Sequence, residues 1–173
     1  MPLLHSNQRL LLPVNPLFVF STLSISVLLN CFPITGLPFV PDFIALCLLF
    51  WAIYQPRLVS MGSGFVLGLL MDVICATTFG QYALAYVVLA YLGNTFSTRI
   101  LRFKLTWQML HVFPILLAAQ LLVAVIGRII HGVWPEWLYF TTSFTNAILW
   151  PLCNVILLAP QRRPVEKDEN RPI

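Results

Sequence analysis

Charged residues are scarce in this 173-residue chain: Asp, Glu, Lys and Arg make up 9% of it, whereas 59% of the residues are hydrophobic. An ordinary soluble domain is about 25% charged. A small fold has a large surface relative to its volume, so a chain of this length could not bury so much apolar surface in water. The composition therefore excludes a soluble enzyme, a nucleic-acid-binding module and a disordered scaffold as descriptions of the whole chain, and it indicates a membrane protein.

Residue patterns typical of catalysis or metal binding are also missing. The four cysteines share no ligand spacing, and the three histidines are isolated along the chain. The sequence contains no phosphate-binding loop, and no histidine–carboxylate pair accompanies Ser63 in Gly62-Ser63-Gly64. We therefore predict no enzyme activity, no catalytic residue, no metal site and no cofactor.

Long apolar stretches dominate what is present. A spanning helix needs about 20 residues, and six such stretches fit into the chain. We predict an all-α polytopic membrane protein in which residues 17–158 form a six-helix transmembrane domain. The predicted spans are 17–32, 39–54, 59–77, 82–96, 109–130 and 138–158. Residues 1–16 are predicted to be a cytoplasmic N-terminal tail, and residues 159–173, which are polar and rich in proline, a disordered cytoplasmic tail.

The few positive charges fix the expected orientation. If six spans alternate, nine of the ten Lys and Arg residues fall on one side, and only Arg128 falls on the other. Positive residues are enriched on the cytoplasmic side, so both termini are predicted to be cytoplasmic. The nine residues are Arg9, Arg57, Arg99, Arg102, Lys104, Arg162, Arg163, Lys167 and Arg171. Arg57, Arg99, Arg102 and Lys104 form a predicted cytoplasmic basic surface. Residues 97–111 are either a short interfacial helix or turn against anionic lipid or a plain basic loop.

A ridge of small residues marks the third span. Ser60, Gly64, Gly68 and Asp72 recur every four residues and therefore share one helix face. The spacing Gly64-x-x-x-Gly68 allows another helix backbone to approach closely. We predict that this ridge packs against a helix, either within the bundle or from a partner protein, and favour the bundle.

Asp72 at the end of this ridge has two interpretations. As a functional residue it would bind a proton, an ion or a substrate in a cavity. As a structural residue it would be a hydrogen-bonded pin that fixes helix packing. We favour this interpretation because Asp72 is the one deeply buried acid and no base lies at a similar depth in the membrane. Its expected partners are Arg128, Asn146, Tyr82 and Tyr86.

Two further polar features stand out. Asn146 and Trp150-Pro151 lie inside the sixth span, where proline removes a backbone hydrogen bond and bends the helix, and the amide can satisfy a buried partner. Asp42, after Pro41, is predicted to cap the start of the second helix.

These residues resemble the MreD family of bacterial rod shape-determining proteins. The resemblance covers about residues 41–158, and its most specific part is the glycine–aspartate ridge at a fixed distance from Pro56-Arg57. The other matching motifs are Pro41-Asp42-Phe43, Phe50-Trp51, Gly62-Ser63-Gly64-Phe65, Gly80, Ala85-Tyr86, Ala90-Tyr91-Leu92, Asn146 and Trp150-Pro151.

The resemblance implies a multi-pass subunit of the cell-elongation machinery in the bacterial inner membrane. Such a subunit binds MreC, and through it is connected to the RodA glycosyltransferase, a penicillin-binding transpeptidase and MreB filaments, coupling peptidoglycan synthesis to the cytoskeleton. The family fold is similar to the substrate-binding subunits of vitamin transporters, which have six helices, and it supplies no catalytic residue. Membrane lipid is the remaining expected contact, and no nucleic acid is expected. The alternative function is a small-molecule transporter subunit with a substrate pocket near Asp72, Asn146 and Arg128.

Overall fold

Helices account for nearly all of the regular structure. A computed structural model describes residues 15–32 and 39–161, and in these ranges it contains six α-helices and no strand. Pro33, Pro38 and most of both predicted tails, including the basic residues outside 57–128, lie outside the described residues. The helices are α1 Pro16–Asn30, α2 Phe43–Tyr54, α3 Met61–Ile74, α4 Gln81–Ile100, α5 Leu105–His131 and α6 Thr141–Leu158.

The order of the helices follows the six predicted stretches, and the basic segment 97–111 forms no separate interfacial helix. α4 continues to Ile100, and α5 already begins at Leu105. The Leu101 N–H still bonds to the Ser97 carbonyl at 3.0 Å, and the Trp107 N–H bonds to the Lys104 carbonyl at 2.8 Å. The segment is therefore two helix ends joined by a short turn, because the helical hydrogen bonds extend into it from both sides.

The helices differ in length. α5, with 27 residues, and the helical segment Trp137–Gln161 are each long and apolar enough to cross a membrane, whereas α1, α2 and α3 are shorter apolar helices. The 12 residues of α2 rise about 18 Å at ~1.5 Å per residue, less than the ~30 Å of the hydrocarbon core. Flanking residues or local bilayer thinning would have to complete such a span, and the six-span topology stays a prediction.

Contacts between helices show that α3 and α4 run in opposite directions, as do α5 and α6. Gly64 and Gly68 on α3 lie against Tyr86 and Ala83 on α4, so rising numbers on one helix meet falling numbers on the other. α5 and α6 likewise meet at Gln108 with Trp150 near one end and at Gln120 with Ser143 towards the other. One end of the bundle therefore holds Asp42, Asp72 and Tyr82, and we call it the Asp72 end. The opposite end holds Arg57, Arg99, Arg102 and Lys104, and we call it the basic end.

Helix α2 forms the centre of the core. It is apolar on all sides, as expected of a buried helix, and it packs against α1, α4 and α6. The Trp51 ring meets Phe18 of α1 and Phe50 edge-on at centroid distances of 6.0 and 5.1 Å, and Phe50 lies 5.8 Å from Trp150 of α6. Aromatic contacts across three helices thus hold the centre of the bundle together.

Candidate functional site

Asp72 lies in the last turn of α3, and its carboxylate accepts hydrogen bonds from backbone N–H groups at the start of α4. It is 1% exposed. Its Oδ1 accepts a hydrogen bond from the Tyr82 N–H at 2.7 Å, and its Oδ2 accepts one from the Gly80 N–H at 2.8 Å. The Thr77 hydroxyl donates a third bond to Oδ1 at 3.2 Å. The side chain thus acts as an N-terminal cap for α4, delivered from the preceding helix.

The loop between α3 and α4 explains why this cap is needed. Gly80 is the residue before α4, and with a φ of +97° it adopts a left-handed conformation that favours glycine. Glycine has no side chain with which to cap the free N–H groups of the helix. A negative carboxylate at that position also interacts favourably with the positive end of the helix dipole, so Asp72 supplies what the local sequence lacks.

The partners of Asp72 largely differ from the four expected ones, because two of its three hydrogen bonds come from backbone N–H groups. Of the four candidates, Tyr82 binds Asp72, but through its backbone N–H. The Tyr86 hydroxyl binds Asp42 instead. No hydrogen bond joins Asp72 to Arg128 or Asn146 in the described part of the chain.

The two glycines of the ridge lie directly against α4. A Cβ atom at Gly68 would stand 2.3 Å from the Ala83 Cα, and one at Gly64 would stand 2.6 Å from the Tyr86 carbonyl oxygen. Ser60 is exposed at the start of α3 and makes no capping bond with its side chain. Within the bundle, α4 thus covers Gly64, Gly68 and Asp72, and use of this ridge by a partner protein stays a prediction.

Asp42 is the centre of a second polar cluster at the same end. As predicted, it caps α2, with its Oδ1 accepting the Ala45 N–H at 3.0 Å. The same oxygen accepts the Asn30 amide at 2.9 Å, and the Tyr86 hydroxyl donates to Oδ2 at 2.6 Å. The cluster joins α1, α2 and α4, so Asp42, like Asp72, connects the ends of different helices.

Helix α6 contains the predicted residues Asn146 and Trp150, which differ in their hydrogen bonding. Trp150 is fully buried, and its ring N–H donates to the Gln108 amide oxygen at 3.2 Å. The helix continues through Pro151 to Leu158, and the predicted bend there stays a prediction. Asn146 is buried, but its side-chain oxygen has no hydrogen-bond partner among the described residues.

Four basic residues lie together at the basic end. Arg57 precedes α3, while the other three surround the turn between α4 and α5, and all four are exposed. Trp107 and Phe103 beside them are also exposed, and the Phe103 ring stacks on His111 at 4.5 Å. Arg128 lies at the opposite end, in the last turn of α5. Charge and exposed aromatic rings thus coincide at this end, a combination that suits an anionic membrane surface.

A cavity of about 640 Å³ opens among the helix ends at the Asp72 end. The polar residues that line it include Asp42, Gln120, Tyr139 and Asn146. Asp72 and Arg128 are not among its lining residues. The alternative prediction was a substrate pocket near Asp72, Asn146 and Arg128. It gains no support from this arrangement, because Asn146 alone of the three lines the cavity and Asp72 is enclosed by the α3–α4 loop.

Several polar pairs were not predicted from the sequence. The Ser143 hydroxyl donates to the Gln120 amide, whose nitrogen in turn donates to the Tyr139 carbonyl at 2.5 Å. The Asn154 amide donates to the Tyr54 hydroxyl at 2.5 Å. Each pair contains a side-chain amide inside an apolar helix. Such isolated amides are visible in the sequence and could have indicated contacts between helices.

Comparison with known proteins identifies relatives over most of the chain. The sequence profile of the family described as "rod shape-determining protein MreD" matches residues 8–159. The rod shape-determining protein MreD of Haemophilus influenzae is 27% identical over 123 residues, which cover 71% of this chain and 76% of that protein. No solved structure matches the chain, so the expected likeness to vitamin-transporter subunits stays a prediction.

Proposed function

The chain belongs to the MreD family of rod shape-determining proteins, and from this premise we propose that it is a non-enzymatic scaffold subunit of the cell-elongation machinery. The family is a family of membrane proteins that determine cell shape, and it is not a known enzyme family. In this proposal the chain binds MreC directly. MreC connects it to RodA, the penicillin-binding transpeptidase and MreB, so that peptidoglycan synthesis follows the cytoskeleton.

The hydrogen bonds of the two acids at the Asp72 end are the observation that favours a scaffold role. Asp72 accepts hydrogen bonds from the Gly80 and Tyr82 N–H groups, and Asp42 accepts bonds from Ala45, Asn30 and the Tyr86 hydroxyl. Carboxylates engaged in this way stabilise helix ends and the packing between them. Moving a proton or an ion through them would break the caps of α2 and α4, which favours a structural role.

The proposed topology places all six helices across the inner membrane with both termini in the cytoplasm. Arg57 and the three basic residues around the α4–α5 turn then lie on the cytoplasmic side, as the positive-inside rule requires. The Asp72 end lies on the outer side. The alternating direction of the helices supports this arrangement, since each successive helix returns to the opposite end.

The MreC contact is proposed to use an exposed apolar helix face. The Gly64–Gly68 surface is covered by α4, and we propose that the partner helix docks elsewhere. Exposed apolar side chains are available on α1, α3 and α6, for example Phe20, Val66 and Ile156. Helices in membranes associate through close packing of such faces.

Photo-crosslinking during co-purification tests this proposal. The tagged chain would be produced with MreC, carrying a photo-reactive residue at Phe20, Val66 or Ile156, with the buried Leu89 as the matched control position. We expect MreC to co-purify with the chain and to crosslink from at least one exposed position but not from Leu89. A folded chain that retains no MreC in mild detergent would refute the proposed partner.

A further inference from the structure

Four buried side-chain atoms in the described ranges have no hydrogen-bond partner, and only one of them, the Asn146 oxygen, belongs to a residue that lines the cavity at the Asp72 end. Asn146 is 2% exposed. Leaving such a group unpaired in a buried place is costly, so each case calls for an explanation. Because Asn146 lines the cavity, a molecule bound there can hydrogen-bond to its amide.

The charges around the cavity restrict what that molecule can be. The carboxylate residues Asp42 and Glu136 line it, and no Lys, Arg or His belongs to the lining within the described ranges. The surroundings therefore disfavour an anionic group and favour a cationic one. Tyr82, Tyr86 and Tyr139 also contribute to the wall, and aromatic faces attract cations.

The volume of the cavity and the residues around its opening indicate which kind of molecule would supply the cationic group. A volume of about 640 Å³ lies within the ~300–1,000 Å³ range of small-molecule sites. Phe32 and Leu138, which also line the cavity, are exposed apolar side chains. They offer a surface for an acyl chain beside a polar interior, an arrangement suited to a lipid more than to a free polar solute.

We propose that this cavity binds the primary ammonium head group of a membrane phospholipid. The ammonium donates its N–H groups to oxygen acceptors in the cavity, including the Asn146 amide, which can present its oxygen by a half-turn about its terminal bond. Asp42 and Glu136 supply the opposite charge. This lipid site goes beyond the scaffold function and does not require MreC, so it forms in the isolated protein.

Native mass spectrometry in detergent tests the site directly. The purified chain would be mixed with equal amounts of phosphatidylethanolamine, phosphatidylcholine and phosphatidylglycerol. We expect phosphatidylethanolamine to be retained at least tenfold more than either of the others. Phosphatidylcholine keeps the positive charge but has no N–H donor, while phosphatidylglycerol lacks the amine. Equal retention of all three lipids would overturn the proposal.

A matched pair of variants assigns the preference to the cavity. Asn146→Leu removes the amide that lines it, whereas Asn94→Leu removes another amide whose oxygen is also buried without a partner but which lies outside the cavity. We expect the preference for phosphatidylethanolamine to disappear in Asn146→Leu and to persist in Asn94→Leu. A preference that survives in Asn146→Leu, or is lost equally in both, would contradict the assignment.

Two additional measurements keep the test decisive if Asn146→Leu folds poorly. Glu136→Gln removes a negative charge at the cavity and should weaken phosphatidylethanolamine retention several-fold without weakening retention of phosphatidylglycerol, which has no positive charge; no change would count against the site. Excess free ethanolamine should compete only weakly if the acyl chains contribute, whereas complete displacement by it would overturn the lipid source. Retention of MreC is expected in every variant, which separates this site from the scaffold function.

Discussion

The backbone N–H of Tyr82 donates a 2.7 Å hydrogen bond to the carboxylate of Asp72, ten residues earlier in the chain. This bond joins the last turn of α3 to the first turn of α4, while the glycines below it bring the two helix backbones into contact. One acid therefore closes the α3–α4 hairpin at the end where the glycine ridge stops. Its burial follows from this role, because the acceptors it provides are satisfied by helix N–H groups.

Replacement of Asp72 should destabilise the fold according to how much of the cap is lost. We expect Asp72→Leu to lower the unfolding free energy by about 2 kcal/mol, and Asp72→Asn, which keeps one oxygen acceptor, by about 1 kcal/mol. Unfolding in mixed micelles followed by tryptophan fluorescence measures both. Ser60→Ala is the control, since Ser60 caps α3 without a side-chain bond. An Asp72→Leu protein as stable as the parent would show that the cap contributes nothing.

The ridge predicts a sharp difference between two glycines of α3. Gly68→Ala places a methyl group 2.3 Å from the Ala83 Cα, so the two helices must separate. We expect a loss of roughly 3 kcal/mol, as for severe overpacking. Gly62→Ala, where the added Cβ meets only the Ser60 hydroxyl at 3.7 Å, should be neutral or gain up to ~1 kcal/mol from helix propensity. Equal unfolding midpoints for the two variants would rule out close packing at Gly68.

Tyr86 and Asp42 should behave as a coupled pair. Tyr86→Phe removes the hydroxyl that donates to Asp42 at 2.6 Å, and we expect a loss of roughly 2 kcal/mol, the usual range for a bond to a charged acceptor. Asp42→Asn should lower stability further because it weakens the α2 cap. The loss of unfolding free energy in the double variant should be smaller than the sum of the losses in the two single variants. Tyr91→Phe, at a half-exposed position, is the control, and strict additivity would argue against the pair.

The orientation can be tested with single cysteines. After replacement of the natural cysteines, one cysteine would be introduced at Val133 and, in a second protein, at Arg102, both of which are exposed. In intact spheroplasts a membrane-impermeant maleimide should label position 133 and leave position 102 unlabelled until the membrane is broken. The opposite labelling would invert the proposed topology.

The sequence allowed the helices to be predicted because hydrophobic length and charge placement act locally. The Asp42 cap also follows from local pattern, since Pro41-Asp42 precedes an apolar run. The partners of Asp72 did not follow, because the bonds to Gly80 and Tyr82 depend on how a loop with a left-handed glycine returns to the helix.

The polar contacts between distant helices were the least predictable part. Asp42 and Tyr86 are 44 residues apart, and Gln108 and Trp150 are 42 apart. Whether such residues meet depends on helix rotation and crossing, which periodicity in a nearly uniform apolar sequence does not specify. Of the three residues that the alternative prediction placed around a pocket, Asn146 lines the cavity, whereas Asp72 and Arg128 do not.

The shape of cells that depend on the Asp72→Asn protein tests the scaffold role most directly. In that role the chain determines rod shape and Asp72 only caps α4. Cells depleted of their own MreD-family protein and supplied with the variant would be imaged, with its membrane level matched to that of the unaltered chain. We predict rods of unchanged width. Round cells at a matched level of folded protein would contradict a purely structural role for Asp72, because the carboxylate would then be required for more than capping a helix.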